Sequence, residues 1–184
     1  MKFEYDVKVN GIWLSSVGAS LFERRLPILP EVEENTLKLA DKDGELDFGV
    51  TYGPRVIDLT IYIEAPPAKF HATLARLARL FNANRGEVTL EFSDMPGKFY
   101  RARNNGTLAL DGQIGSRMVN VSLKMNDPWP TGPEKVTETT ITKSPESVTV
   151  ESLADVRAQP VITLTNVGTT TIKSLRITNE YTNE

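Results

Sequence analysis

The chain holds one histidine and no cysteine, and those two counts bound the chemistry open to it. A Ser-His-Asp arrangement needs a histidine held by a carboxylate and touching an activated serine. The G-x-S-x-G turn that presents such a serine is absent, and His71 falls in the first turn of an expected helix, where it reads as an exposed residue. Histidine and cysteine ligands for zinc are missing. Asp41-Lys42-Asp43-Gly44-Glu45 has the carboxylates of a calcium loop but not their spacing. Aligned on Gly44, an EF-hand loop begins at Leu39 and ends at Val50, neither of which binds a cation. The segment reads as a solvated acidic turn. No phosphate-binding G-x-x-x-x-G-K-[ST] occurs. The remaining carboxylates are scattered over many turns, with nothing in the spacing to pair two of them for glycoside hydrolysis. Asn105-Gly106-Thr107 and Asn120-Val121-Ser122 match the glycosylation triplet by chance, given an N-terminus without an export signal. The expectation is a chain with no catalytic residue, no metal and no cofactor, and not an enzyme.

The elements that would carry any site are mostly strands. The 184 residues bear a net charge of −3, with 40% hydrophobic and 24% charged residues, the balance of a folded protein. The slight acidity argues against a nucleic-acid binder, whose footprint is a basic patch. No apolar run approaches the ~20 residues of a membrane span. Met-Lys-Phe-Glu-Tyr-Asp-Val-Lys at the N-terminus lacks the apolar stretch of a signal peptide, so synthesis in the cytosol is expected.

Phe3, Tyr5, Val7 and Val9 alternate with charged residues and predict a half-buried strand. Asn10-Gly11 tolerates the positive φ angles of a tight hairpin turn, with Ile12 and Leu14 returning. Prolines break Leu26–Pro30 into a loop. Val32–Ala40 predicts a strand, Asp41–Gly44 a turn, and Gly49–Pro54 an irregular glycine-rich stretch. Ile57, Leu59, Ile61 and Ile63 give the strongest strand signal. Lys69–Asn82 predicts the one helix. Phe70, Leu74, Leu77, Ala78 and Phe81 form its apolar face, Arg76 and Arg79 its solvated side, and Asn84 and Gly86 its stop. Strand patterning resumes at Val88–Phe92, Phe99–Arg103 and Val119–Met125, and Asp127-Pro128-Trp129-Pro130 ends it. Phe3, Tyr5, Phe92 and Phe99 read as core. Trp129 either anchors the domain's end against the core or meets a neighbour.

Beyond Thr131 the composition shifts to threonine, serine, glutamate and proline. Val136–Thr142 and Val148–Glu151 read as linker or weak strands, and Pro160–Asn166 and Thr171–Thr178 as two further strands. So few strands bury little apolar area on their own.

Several stretches together resemble the distal tail (Dit) family of long-tailed, siphovirus-type bacteriophages or prophages. They are the hairpin Val7-Lys8-Val9-Asn10-Gly11-Ile12; then Asp43-Gly44-Glu45-Leu46-Asp47-Phe48-Gly49 with Tyr52-Gly53-Pro54-Arg55-Val56-Ile57-Asp58-Leu59; then the helix and the two strands after it; and Asp127-Pro128-Trp129 as the close. The resemblance implies a mainly β fold with one α-helix. Residues 1–130 would be a β-sandwich, tail-tube-like domain with a projecting hairpin, and 131–184 a linker and the start of a galectin-like β domain, partial or reduced. It further implies a homohexameric ring at the virion tail tip, assembled in the host cytoplasm. Its partners would be the tail tube protein, the tail-tip hub protein and receptor-binding proteins, with DNA only as passing cargo and no membrane. Asp43, Gly44, Asp47, Tyr52 and Arg55 are then the candidate inter-subunit contacts. On this reading Arg55→Ala disrupts assembly and leaves the monomer fold intact.

Two other readings fit a β-rich module. One is a carbohydrate-binding module for host cell-wall polysaccharide, with Trp129, Tyr52 and Tyr100 as contacts. The other is a hydrolase with a site among the dispersed carboxylates.

Overall fold

A computed structural model of the chain describes residues 5–110, 115–152, 154, 156 and 160–180. Phe3 of the expected opening strand lies outside the described residues. By its contacts the chain divides into two compact units, Met1–Lys135 and Val136–Glu184.

The first unit is built on antiparallel strands. β1 (Val7–Val9) turns through Asn10 (φ 52°) and Gly11 (φ 79°) into β2 (Ile12–Trp13). Two successive positive φ angles are what the Asn-Gly pair predicted. β3 spans Ala19–Arg25, β4 Val32–Leu37, β5 Leu46–Tyr52 and β6 Arg55–Ile63. The helix α1 (Phe70–Leu80) follows, then β7 (Val88–Phe92), β8 (Phe99–Asn104), β9 (Ala109–Leu110) and β10 (Met118–Met125). One eight-stranded sheet runs β2-β1-β7-β8-β10-β6-β3, with β9 beside β10; β4 and β5 form a separate two-stranded sheet.

Alternate residues of the long strands face one core. Ile57, Leu59, Ile61 and Ile63 of β6 lie buried beside Val119, Val121, Leu123 and Met125 of β10 and Val88, Leu90 and Phe92 of β7. The sheet curls until its ends approach. Arg24 of β3, the last strand of the path, stacks its guanidinium 4.5 Å from the Phe92 ring centroid in β7. It also donates two hydrogen bonds to Asp94, at 2.8 and 2.7 Å. This fork holds the closure in place.

That pairing makes stability pH-dependent. The hydrogen bonds from Arg24, and then its charge, hold the Asp94 carboxyl below its ordinary value. A depressed carboxylate contributes stability above its unfolded value, near 4, that is lost as pH falls through the lowered folded value. Both side chains are about a quarter exposed, so the contribution is at most about 1 kcal/mol. Asp94→Asn should lower stability by about that much at pH 7 and by progressively less as pH falls below about 4, as read by denaturant unfolding across that range.

α1 packs one face on the core. Leu77 and Phe81 are buried, and Phe70, Leu74 and Leu80 are partly so. Two details differ from the expected helical face. Ala78 is exposed, and Thr73 is buried in its place, where its hydroxyl donates to the Val17 carbonyl at 3.4 Å. Beside it Gly18 sits at φ +82°, and its carbonyl accepts from the amides of Glu64 (3.0 Å) and Ala65 (3.1 Å). A Cβ at Gly18 would meet the Ala65 Cβ at 3.3 Å and the Thr73 hydroxyl at 3.4 Å. Gly18→Ala should therefore cost about 1–2 kcal/mol for the left-handed backbone, with crowding on top, visible as a lower melting temperature.

Other expectations are corrected. Tyr5 is not core, being 52% exposed and outside any strand, while Phe99 is only half-buried. Gly49–Tyr52 is not irregular but the second half of β5. Beyond residue 135 no strand or helix occurs among the described residues, so the two strands expected at 160–166 and 171–178 are not formed there, and of the two readings of 136–142 and 148–151 the weak strands are absent. The apolar residues of that unit, Val161 and Val167 among them, are exposed at 94% and 85%. Without a buried face to share, strands have nothing to stabilise them.

Candidate assembly interface

The hairpin β4–β5 stands apart from the core. Its ladder pairs Val32 with Tyr52, Glu33 with Thr51 and Glu34 with Val50, then slips to pair Thr36 with Asp47 and Leu37 with Leu46. The slip places one extra residue on β5. Gly49, at φ +90°, lies in it, and its amide donates to the Asp47 carboxylate at 2.8 Å. Such a bulge twists and re-aims a strand. Every residue of both strands is exposed, including Val32, Leu37, Leu46, Phe48 (67%), Val50 and Tyr52. A two-stranded ribbon with no buried face is marginal by itself. Exposed apolar side chains gathered on one ribbon mark a candidate contact surface.

The base of the hairpin is anchored. The Gly53 amide donates to the Glu31 carbonyl at 2.8 Å. The edge of Tyr52 meets Trp129, with ring centroids 5.3 Å apart and planes at 81°. Trp129 in turn lies 5.9 Å from the Arg55 guanidinium. The chain at Trp129 is fixed by its own amide to Asp127 at 3.2 Å and by paired backbone bonds between Thr131 and Phe99 at 2.8 and 2.9 Å. Asp127-Pro128-Trp129 thus closes the sheet and buttresses the hairpin together.

The five candidate contact residues fall into two groups. Asp43 and Gly44 (φ +82°) occupy the exposed loop at the hairpin's tip, and Asp47 and Tyr52 lie on β5. Arg55 differs. It opens β6, is 4% exposed, and donates to the Ile28 carbonyl at 3.2 Å, while its Nε has no hydrogen-bond partner among the described residues. Burial pushes its pKa below the ordinary value. Arg55 therefore fixes the hairpin's base rather than presenting a surface, and Arg55→Ala would strip packing from Trp129 as well. It does not isolate assembly from folding. Phe48 and Val50, the most exposed large residues of β5, were missed because Gly49 interrupts the pattern. The alternation Leu46, Phe48, Val50, Tyr52 was the signal for them.

The elements of other chemistries do not converge. His71 is exposed, its ring edge-on to Phe70 at 5.5 Å. No cluster of three metal-ligating side chains occurs among the described residues. Tyr100 is buried with its hydroxyl 3.7 Å from the Met95 sulfur, which removes it as a sugar contact. Trp129 packs T-shaped against Tyr52, and the depression beside it measures about 120 Å³. Ligand pockets start near ~300 Å³. No helix among the described residues is long and apolar enough to cross a membrane.

The described residues of the first unit form a curled antiparallel sheet with one α-helix and an uncovered two-stranded hairpin. The family model of the phage tail protein RIFT-related domain matches residues 17–126, and the chain belongs to that family of phage tail proteins. It is a structural protein of the virion tail. Among solved structures, it is similar to Dit (gp 19.1) of phage SPP1, described as a paradigm of the hub adsorption apparatus in phages infecting Gram-positive hosts. The match has a TM-score of 0.58 and 18% identity, and covers 71% of this chain and 53% of that one. The likeness is therefore one of fold, and the chain spans about half the length of that protein. No curated protein matches the chain. The resemblance read from the sequence thus holds at the level of family and fold.

Proposed function

We propose that the chain is a non-enzymatic ring subunit of the distal tail. Six copies join head to tail through the β4–β5 hairpin, and the ring links the tail tube to the tip hub and receptor-binding proteins. The observation that carries this reading is the hairpin itself, apolar, projecting and uncovered in the single chain. Contacts between two different surfaces of one chain close into a ring when the rotation between copies divides a full turn. Asp43, Gly44, Asp47 and Tyr52 touch the neighbouring copy, and Arg55 holds the hairpin at its base. Residues 1–130 form the ring, while 131–184 act as a linker and the start of a galectin-like domain.

Native mass spectrometry over a range of concentrations tests the proposal. A six-copy species growing in with concentration is expected. A chain that stays single at high concentration, or stops at two copies, contradicts it.

A further inference from the structure

The two most strongly charged segments of the chain have opposite sign and do not meet. From Glu31 to Asp47, the hairpin and its loop carry seven acidic residues against two lysines, a net charge of −5. From Ala65 to Gly86, α1 and its flanks carry Lys69, Arg76, Arg79 and Arg85 and no carboxylate. These four cations are exposed, and no salt bridge engages either segment among the described residues. A lone charged residue needs only water. Here two whole elements are polarised in a chain whose net charge is −3.

Each charged segment also carries apolar surface of the matching kind. On the outer face of α1, Ala72, Ala75 and Ala78 are exposed beside Arg76 and Arg79. Their short side chains leave a flat strip against which large side chains from elsewhere can lie. The hairpin offers such side chains in Phe48 and Val50, at 67% and 56% exposure. Opposed potentials steer two surfaces together and fix their register, while buried apolar area holds them.

We propose that the hairpin of one copy docks on the outer face of α1 of the next copy, the carboxylates of its strands and loop set against Arg76 and Arg79 and its apolar side chains on the alanine strip. The inference rests on the ring reading and names the partner surface of that same hairpin. Each copy then uses both surfaces once, as a closed ring requires.

Charge exchange tests it, read by native mass spectrometry at fixed salt on the full chain. Reversing the helix (Arg76→Glu with Arg79→Glu) or the loop (Asp43→Lys with Glu45→Lys) should each weaken assembly by roughly a hundredfold. An equimolar mixture of the two reversed chains should assemble again, because the charges at loop positions 43 and 45 then oppose those at helix positions 76 and 79 in every contact. One chain carrying all four substitutions should do the same. Recovery in either case also shows that the variants fold. If the wild-type chain assembles and the helix reversal assembles equally well, the docking is wrong and the ring stands. If both reversals abolish assembly and neither the mixture nor the fourfold variant restores it, the two surfaces do not face each other and the docking is again wrong. If the wild-type chain never assembles, the ring reading falls and the docking with it.

Discussion

A chain carrying Phe48→Asp and Val50→Asp should melt at the temperature of the wild type and fail to assemble. The two halves of this result come from the same fact. Both side chains are more than half exposed in the single chain, on a hairpin that takes no part in the core. Substitutions at such positions change monomer stability by no more than about 0.5 kcal/mol. In an assembled ring the same side chains are covered, and covering two carboxylates without partners opposes association strongly. Loss of one central apolar anchor typically costs about 2 kcal/mol or more of binding energy. Two anchors turned into charges should weaken association by at least about a hundredfold, since each factor of ten is 1.4 kcal/mol. Thermal unfolding of dilute protein reads the first half, and native mass spectrometry the second. Unchanged assembly would remove the hairpin from the interface.

Phe92→Ala is the opposite case, in which the monomer itself is expected to fail. Phe92 is fully buried at the point where the curled sheet closes. Its ring meets Tyr100 edge-on at 5.6 Å and lies under the Arg24 guanidinium at 4.5 Å. Truncation to alanine removes a large apolar side chain and leaves a cavity between strands that cannot collapse independently. Phenylalanine-to-alanine changes in cores cost about 3–5 kcal/mol. Arg24 also loses the ring it stacks on, although its bond to Asp94 survives. Denaturant unfolding should show the midpoint falling steeply with little change in slope. A loss below about 1 kcal/mol would mean that closure of the sheet does not depend on this side chain.

The contrast between these residues shows what the sequence made legible. Strands with one face on the core repeat with a period of two, so β6, β7 and β10 were readable from their isoleucines, leucines and valines. The helix was readable from its 3.6-residue stripe to within a few residues at each end. β3 was not, and its register gives the reason. The pairing shifts between Leu21 and Glu23, and Ala19, Ser20 and Leu21 are all buried in succession. No alternation survives such a bulge. The second half of β5 was hidden differently, by glycines at 49 and 53 that read as an irregular stretch although Leu46, Phe48, Val50 and Tyr52 keep the period of two.

The assembly site was half legible. Resemblance pointed to a segment, Asp43 to Arg55, that the structure shows as an exposed hairpin and its base, but the single side chain put forward to test it was the buried one. Burial of an arginine cannot be read from type and spacing, because its partners here, Ile28 and Trp129, come from distant stretches of the chain. The region beyond residue 135 misled for a related reason. Valines and isoleucines at strand-like spacing satisfy the local rule, yet none of the described ones is buried. Alternation alone does not supply the partner strand or packing surface that a strand needs, and the described residues beyond 135 have neither.

The central claim is that copies of this chain meet through two different surfaces and that the contact closes. Negative-stain imaging of the purified chain, at a concentration where it associates, tests that most directly. Rings of six copies around a central hole are expected. Open filaments would show that the contact does not close, and compact two-fold dimers would contradict the ring altogether.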